Sequence, residues 1–105
     1  MWAAINNDVT WGWDELLRYF KKSENATAPN EFQKTVGGVT YDPNVHGVGG
    51  GVQVGFPNFF YNQSTLWRNA SKSLGFHQSP DLSNGNLGSS VGVTPDSIDI
   101  RNNTR

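Results

Sequence analysis

Only two histidines, His46 and His77, stand in a chain of 105 residues that has no cysteine. Without thiols, disulfide frameworks and thiolate metal sites are excluded. Neither histidine has a second imidazole or a carboxylate at ligand spacing, so no metal-binding residue is assigned. His46 opens the run His46-Gly47-Val48-Gly49-Gly50-Gly51, and a glycine-rich loop can cradle a phosphate. The dinucleotide fingerprint needs glycine at its first, third and sixth positions, after a strand and opening a helix. Counted from Gly47 the sixth residue is Val52, and from Gly49 it is Val54. A P-loop needs a lysine after its last glycine, and this run has none there. The run therefore reads as a tight turn feeding an alternating strand, Val52-Gln53-Val54-Gly55-Phe56. No cofactor-binding residue is assigned. His46 reads as a turn residue, and His77 as a surface residue beyond a helix stop.

Two acid pairs could serve a glycosidase, Asp14/Glu15 and Asp96/Asp99. The first falls in the first turn of a helix, where acids suit the positive end of the dipole. The second lies among strand and turn signals with no aromatic sugar cradle nearby in sequence. No serine occupies a G-x-S-x-G elbow, so no catalytic residue is assigned. The pattern that does invite chemistry is N-x-[ST]. It occurs at Asn25, Asn62, Asn69 and Asn102, against about two sites expected from this composition. These four are candidate N-glycosylation residues, and they point to a secreted glycoprotein. No charged segment followed by an apolar stretch opens the chain, so a targeting signal is expected outside it.

The elements that position these residues are set by periodicity. Trp13, Leu16, Leu17 and Phe20 recur at i, i+3, i+4 and i+7, which predicts an amphipathic helix over 13–23. Its acids come first and Lys21 and Lys22 last, matching the dipole. Gly12 is the expected N-cap, with Glu15 able to reach back to its N–H and Trp11 stapling Leu16. Asp14 and Arg18 have the spacing of a surface pair. The four apolar residues are expected to anchor a core. A second helical pattern runs from Phe59 to Leu74, with Asn58 as its N-cap. Its apolar stripe (Phe59, Phe60, Leu66, Trp67, Ala70, Leu74) is expected to pack inward while Asn62 and Asn69 face solvent. Gly75 closes it as C′, with Phe76 folding back.

Trp2 to Ile5 can extend a preceding helix, and Asn6-Asn7-Asp8 is a turn cluster. Residues 25–30, carrying Pro29, read as loop, and 31–40 show no period. Asn84-Gly85-Asn86 reads as a turn. Val91 to Thr94 is a candidate strand pushed toward a sheet edge by Pro95, and Ser97 to Ile100 a second short one. The fold class expected is α+β: a partial domain with two amphipathic helices, a few short and mostly antiparallel strands, and long Gly/Asn/Ser-rich loops. Residues 1–105 form a single segment. A hydrophobic fraction of 35%, a mean hydropathy of −0.55 and no cysteine make a thin core for this length. The chain is thus expected to be a piece of a larger protein. Net charge of −1 with no basic patch argues against nucleic acid and lipid surfaces as partners. No run approaches the roughly 18 apolar residues of a membrane span.

Trp2 followed by Trp11-Gly12-Trp13-Asp14-Glu15-Leu16-Leu17-Arg18-Tyr19-Phe20-Lys21-Lys22-Ser23-Glu24 resembles a stretch of the glucose–methanol–choline (GMC) FAD-dependent oxidoreductases. His46-Gly47, Gly50-Gly51 and Val52-Gln53-Val54 resemble that family's next turn and strand. Leu74-Gly75-Phe76, Asp81, Asn84-Gly85 and Val91 to Pro95 resemble its later helix end and loops, up to Asn103-Thr104-Arg105. The resemblance covers nearly the whole chain. Arg18 and Gly51 stand where the family has proline. It implies the middle, substrate-domain part of a flavoprotein. Such proteins hold FAD through an N-terminal G-x-G-x-x-G unit and carry a catalytic histidine near the C-terminus. Neither lies in this chain. The resemblance implies an intact parent that oxidises the CH–OH group of an alcohol or sugar, with hydride passing to the flavin. Its partners would be the remainder of the flavoprotein chain and a small substrate, and the segment alone would be inactive. A stand-alone extracellular carbohydrate-binding module, using Trp2, Trp11 or Trp67, or a structural glycoprotein module is the alternative.

Overall fold

The computed structural model describes residues 1–85, 88–102 and 104. Asn86 of the expected 84–86 turn, Asn103 of the last glycosylation triplet, and Arg105 lie outside the described residues. Among the described residues there are, in chain order, four helices and four short strands: α1 (Trp2–Asn6), α2 (Trp13–Ser23), β1 (Glu24–Ala26), α3 (Glu31–Thr35), β2 (Val52–Val54), α4 (Asn62–Ser73), β3 (His77–Gln78) and β4 (Ser90–Val91). A single 3-10 turn, Val9–Trp11, links α1 to α2.

Helix α2 spans the residues that its apolar period predicts, from an extended Gly12 cap. Two polar details differ from expectation. The Gly12 N–H donates to the Val9 carbonyl at 2.9 Å, so Glu15 is released from the cap. Glu15 pairs instead with Arg18, one turn on, at 2.9 Å. Asp14 is therefore not the partner of Arg18. The 3-10 turn before the helix causes both changes, because it supplies the acceptor that the cap needed.

The strands correct the sequence reading. β1 runs parallel to β2, with Glu24 beside Val52 and Ala26 beside Val54. β3 runs parallel to β4, with His77 beside Ser90. The expectation of mostly antiparallel strands fails. The physical reason is the length of the connections. An antiparallel pair closes with a tight hairpin, whereas a parallel pair needs a dozen or more residues to return the chain. Residues 27–51, containing α3, provide that return. Among the described residues antiparallel pairing survives only as isolated bridges, Gly55 with Asp96 and Asp99 with Thr104. Residues 97–100 thus form no strand.

The loop that brings the chain back is built on Gln33, which is fully buried. Its Oε1 accepts from the Asn30 N–H at 2.8 Å while its own N–H donates to Asn30 Oδ1 at 2.9 Å. This reciprocal capping box starts α3. The Gln33 Nε2 then donates to the Phe56 carbonyl at 2.7 Å and to Asn58 Oδ1 at 3.1 Å. Asn58 is therefore spent on Gln33, and α4 is capped by Tyr61 rather than by Asn58. Phe59 and Phe60 precede the helix. At its far end the Gly75 N–H donates to Lys72 and the Phe76 N–H to Ser71. With Gly75 at φ 81°, this is the Schellman closure expected from the sequence.

The apolar residues do not close into a core. Among the described residues the buried hydrophobic side chains are Val39 and Phe56 alone. The chain is a slab, 46 × 37 × 19 Å, with a radius of gyration of 15.4 Å, where a compact domain of this length has about 13 Å. The α2 stripe faces β2 but is incompletely covered, with Trp13 42% and Phe20 54% exposed. Helix α4 is more extreme. It buries Ser71 and turns Leu66, Trp67 and Leu74 outward, each more than two-thirds exposed. The expected inward packing of its stripe is thus reversed within this chain.

Candidate functional site

A buried polar cluster is centred on His46. The sequence places this residue in a turn, and the fold makes it a hub, 5% exposed. Its Nδ1 lies 2.8 Å from Glu24 Oε1 at the start of β1. Its Nε2 lies 3.0 Å from Asp81 Oδ2, in the turn after β3. The Tyr41 ring stacks on the imidazole with centroids 4.7 Å apart, and its edge-on contact with Phe56 joins the cluster to the one buried aromatic. Both ring nitrogens are thus engaged by carboxylate oxygens.

The carboxylates are satisfied beyond the ring. Glu24 Oε2 accepts from the Gly47 N–H at 2.8 Å. Asp81 Oδ2 accepts from the Asp42 N–H at 3.0 Å and Oδ1 from the Ser83 N–H at 2.8 Å. Three segments distant in sequence are thereby tied together. The two carboxylates flank opposite edges of the ring and cannot converge on one ion. With both ring nitrogens engaged, the cluster ties the loops together.

Burial pushes the Tyr41 phenol above its ordinary range, and the charges of Glu24, Asp81 and Asp42 push in the same direction. The folded state thus holds the phenolic proton more tightly than the unfolded chain does. Stability is unaffected below the unfolded tyrosine value near 10 and falls as pH rises through the folded value. Alkaline titration followed by tyrosinate absorbance should show one tyrosine ionising late, and Tyr41→Phe should remove that late step.

The other sequence candidates are dispersed. Asp14 and Glu15 open α2. Asp96 pairs its backbone with Gly55. Asp99 is held by Arg101, whose Nε and Nη2 each donate at 2.8 Å, and these bonds lower its carboxyl below the usual range. His77 is exposed in β3. The Asn25 side chain is engaged with Gln53 and Gly49. Asn62 and Asn69 are exposed on α4, and Asn102 is exposed beside Asp99. Away from His46 lies an open groove of about 660 Å³, lined by Phe59, Phe60, Tyr61, Trp67, Arg68 and Asp96 among others. Arg68 is anchored there by donating to the Gly37 carbonyl at 2.5 Å. Sequence reasoning misses the roles of both His46 and Gln33. For Gln33 a signal exists, since Asn30-Glu31-Phe32-Gln33 has the capping-box spacing. For His46 there is none, because its partners lie 22 and 35 residues away.

No family model matches the chain. Individual proteins do. The dehydrogenase xptC of Emericella nidulans is 34% identical over 104 residues, covering 99% of this chain and 16% of its own length. The glucose-methanol-choline family oxidoreductase mfmG of Annulohypoxylon moriforme is 31% identical over 83% of this chain and 15% of its own. In structure, an FAD-dependent oxidoreductase from Chaetomium thermophilum superimposes on 85% of this chain with a TM-score of 0.71 and 33% identity. The chain belongs to the GMC oxidoreductase family. It spans about one-sixth of the length of the curated relatives that it matches.

The 46–51 loop is not built as a phosphate cradle for the FAD implied by this GMC membership. A phosphate cradle needs free backbone N–H groups. In the 46–51 loop those of Gly47, Gly49 and Gly50 donate to Glu24 Oε2, Asn25 Oδ1 and the Glu24 carbonyl. The glycines are required by close packing instead. A Cβ on Gly47 would strike the Lys21 carbonyl, and one on Gly50 the Ser23–Glu24 peptide. The loop packs closely under the end of α2. Among the described residues no helix is long and apolar enough to cross a membrane.

Proposed function

We propose that residues 1–105 are part of the substrate-domain region of an FAD-dependent oxidoreductase acting on the CH–OH group of alcohols or sugars. The carrying observation is the combination of GMC membership with a fold that leaves its apolar faces open. Trp67, Leu66 and Leu74 on α4, and Phe59 and Tyr61 before it, form an apolar face that a folded enzyme would cover with the rest of its polypeptide. The segment's role is to hold loops and helices on the substrate side. The cofactor and the reacting groups belong to other parts of the parent. The substrate would be a small alcohol or sugar, and the parent would be a secreted glycoprotein.

The test is spectroscopic. The intact parent should show flavin absorbance and bleach when an alcohol substrate is added without oxygen. The 105-residue chain alone should be colourless with FAD present. A colourless intact parent would refute the reading, as would tight flavin binding by residues 1–105.

A further inference from the structure

The four N-x-[ST] triplets are equivalent in sequence and unequal in structure. Helix α4 has three faces. Ser71 is buried against the rest of the chain, while Trp67 and Leu74 form an exposed apolar face. Asn62 and Asn69 form the third, with Leu66 between them. Seven residues apart, they lie within about 20° of each other around the axis and about 10 Å apart along it. They point almost directly away from Ser71. Both are exposed, and neither amide has a hydrogen-bond partner among the described residues.

Asn25 is the opposite case. It sits in β1, half-buried, beside Gln53. Its Oδ1 accepts from the Gly49 N–H at 3.0 Å, and its Nδ2 donates to Gln53 Oε1 at 3.3 Å. Both ends of the amide are turned into residues 49–53. A sugar on Nδ2 would compete with that bond and push against the loop that Gly47 and Gly50 hold under α2.

We propose that Asn62 and Asn69 carry N-linked oligosaccharides in the folded protein and that Asn25 does not. In each case the side-chain nitrogen attacks the anomeric carbon of a lipid-pyrophosphate-linked oligosaccharide. The new N–C bond replaces the sugar–phosphate bond, the amide gives up one proton, and the lipid pyrophosphate leaves. The transferase meets the chain before folding is complete, so the fold acts afterwards. Chains modified at Asn25 cannot close β1 on the 49–53 loop and are retained. The two α4 glycans leave Trp67 and Leu74 clear, since these project from a different side of the helix.

The experiment expresses the intact parent from a eukaryotic secretory host. It reads occupancy at each asparagine by mass spectrometry after enzymatic deglycosylation, which marks a used asparagine as aspartate. Secreted and cell-retained fractions are both read. The secreted protein should be marked at Asn62 and Asn69 and unmarked at Asn25. Asn62→Gln and Asn69→Gln should each remove one glycan, and Asn25→Gln should leave the glycan mass of the secreted fraction unchanged. Any chain marked at Asn25 should be confined to the retained fraction. A mark at Asn25 in secreted protein, or an unmarked Asn62 or Asn69, would overturn the proposal. Flavin absorbance of the same preparation reports separately on the oxidoreductase reading.

Discussion

Replacing His46 with alanine is expected to cost about 1–3 kcal/mol of folding stability for each of the two part-buried or buried carboxylates left without its partner. The change leaves Glu24 and Asp81 facing each other across the space that the imidazole filled. The Asp81 and His46 side chains are each 2% exposed, and that of Glu24 is 16% exposed. The chain should show a lowered denaturant midpoint with an unchanged slope. Adding Glu24→Gln and Asp81→Asn to His46→Ala should cost less than the sum of the single changes, because the repulsion is removed with the charges. A His46→Ala protein within about 1 kcal/mol of the parent would show that the bridge contributes only what an exposed pair does.

Gly47→Ala should be nearly as damaging, for a steric reason. The added Cβ would meet the carbonyl carbon and oxygen of Lys21 in the last turn of α2. Both partners are backbone, so neither can rotate away. Lys21 is also tethered, since its Nζ donates to the Asn44 carbonyl at 2.9 Å. Overpacking of a tight site costs about 1–3 kcal/mol, and more where nothing can move. The comparison that isolates this cause is Gly51→Ala. A Cβ there meets nothing within 4 Å, so its effect should stay within about 0.5 kcal/mol. Equal effects from the two substitutions would remove the close-approach account of the loop.

What the sequence makes legible is local. The limits of α2 are set by the spacing of Trp13, Leu16, Leu17 and Phe20, and the close of α4 by Leu74-Gly75-Phe76. Both depend on residues within a few positions of one another. The strand pairing is not legible. Glu24-Asn25-Ala26 carries no alternation, and whether it lies parallel to Val52-Gln53-Val54 depends on how residues 27–51 fold. His46 reads as a mere turn residue for the same reason: its importance comes from Glu24 and Asp81, which only the tertiary fold delivers. The inward packing expected of the α4 stripe fails because amphipathicity says that a face needs cover. It does not say that the cover lies in the same stretch of chain.

Family membership accounts for that exposed stripe. A segment spanning about one-sixth of its relatives' length can hold its polar brace intact while its apolar faces await the rest of the protein. Gln33 and His46 work as internal fasteners, and both are made from residues 24–83. The surfaces carrying Trp13, Phe20, Leu66 and Trp67 are unfinished by comparison.

Iodide quenching of Trp67 fluorescence tests this directly, read as the difference between each protein and its Trp67→Phe variant. In the 105-residue chain Trp67 is 69% exposed and should be strongly quenched. In the intact parent the same indole should be shielded, with quenching reduced several-fold. Equal quenching in the two would contradict the account, because the apolar face of α4 would then be solvent surface in the whole enzyme as well.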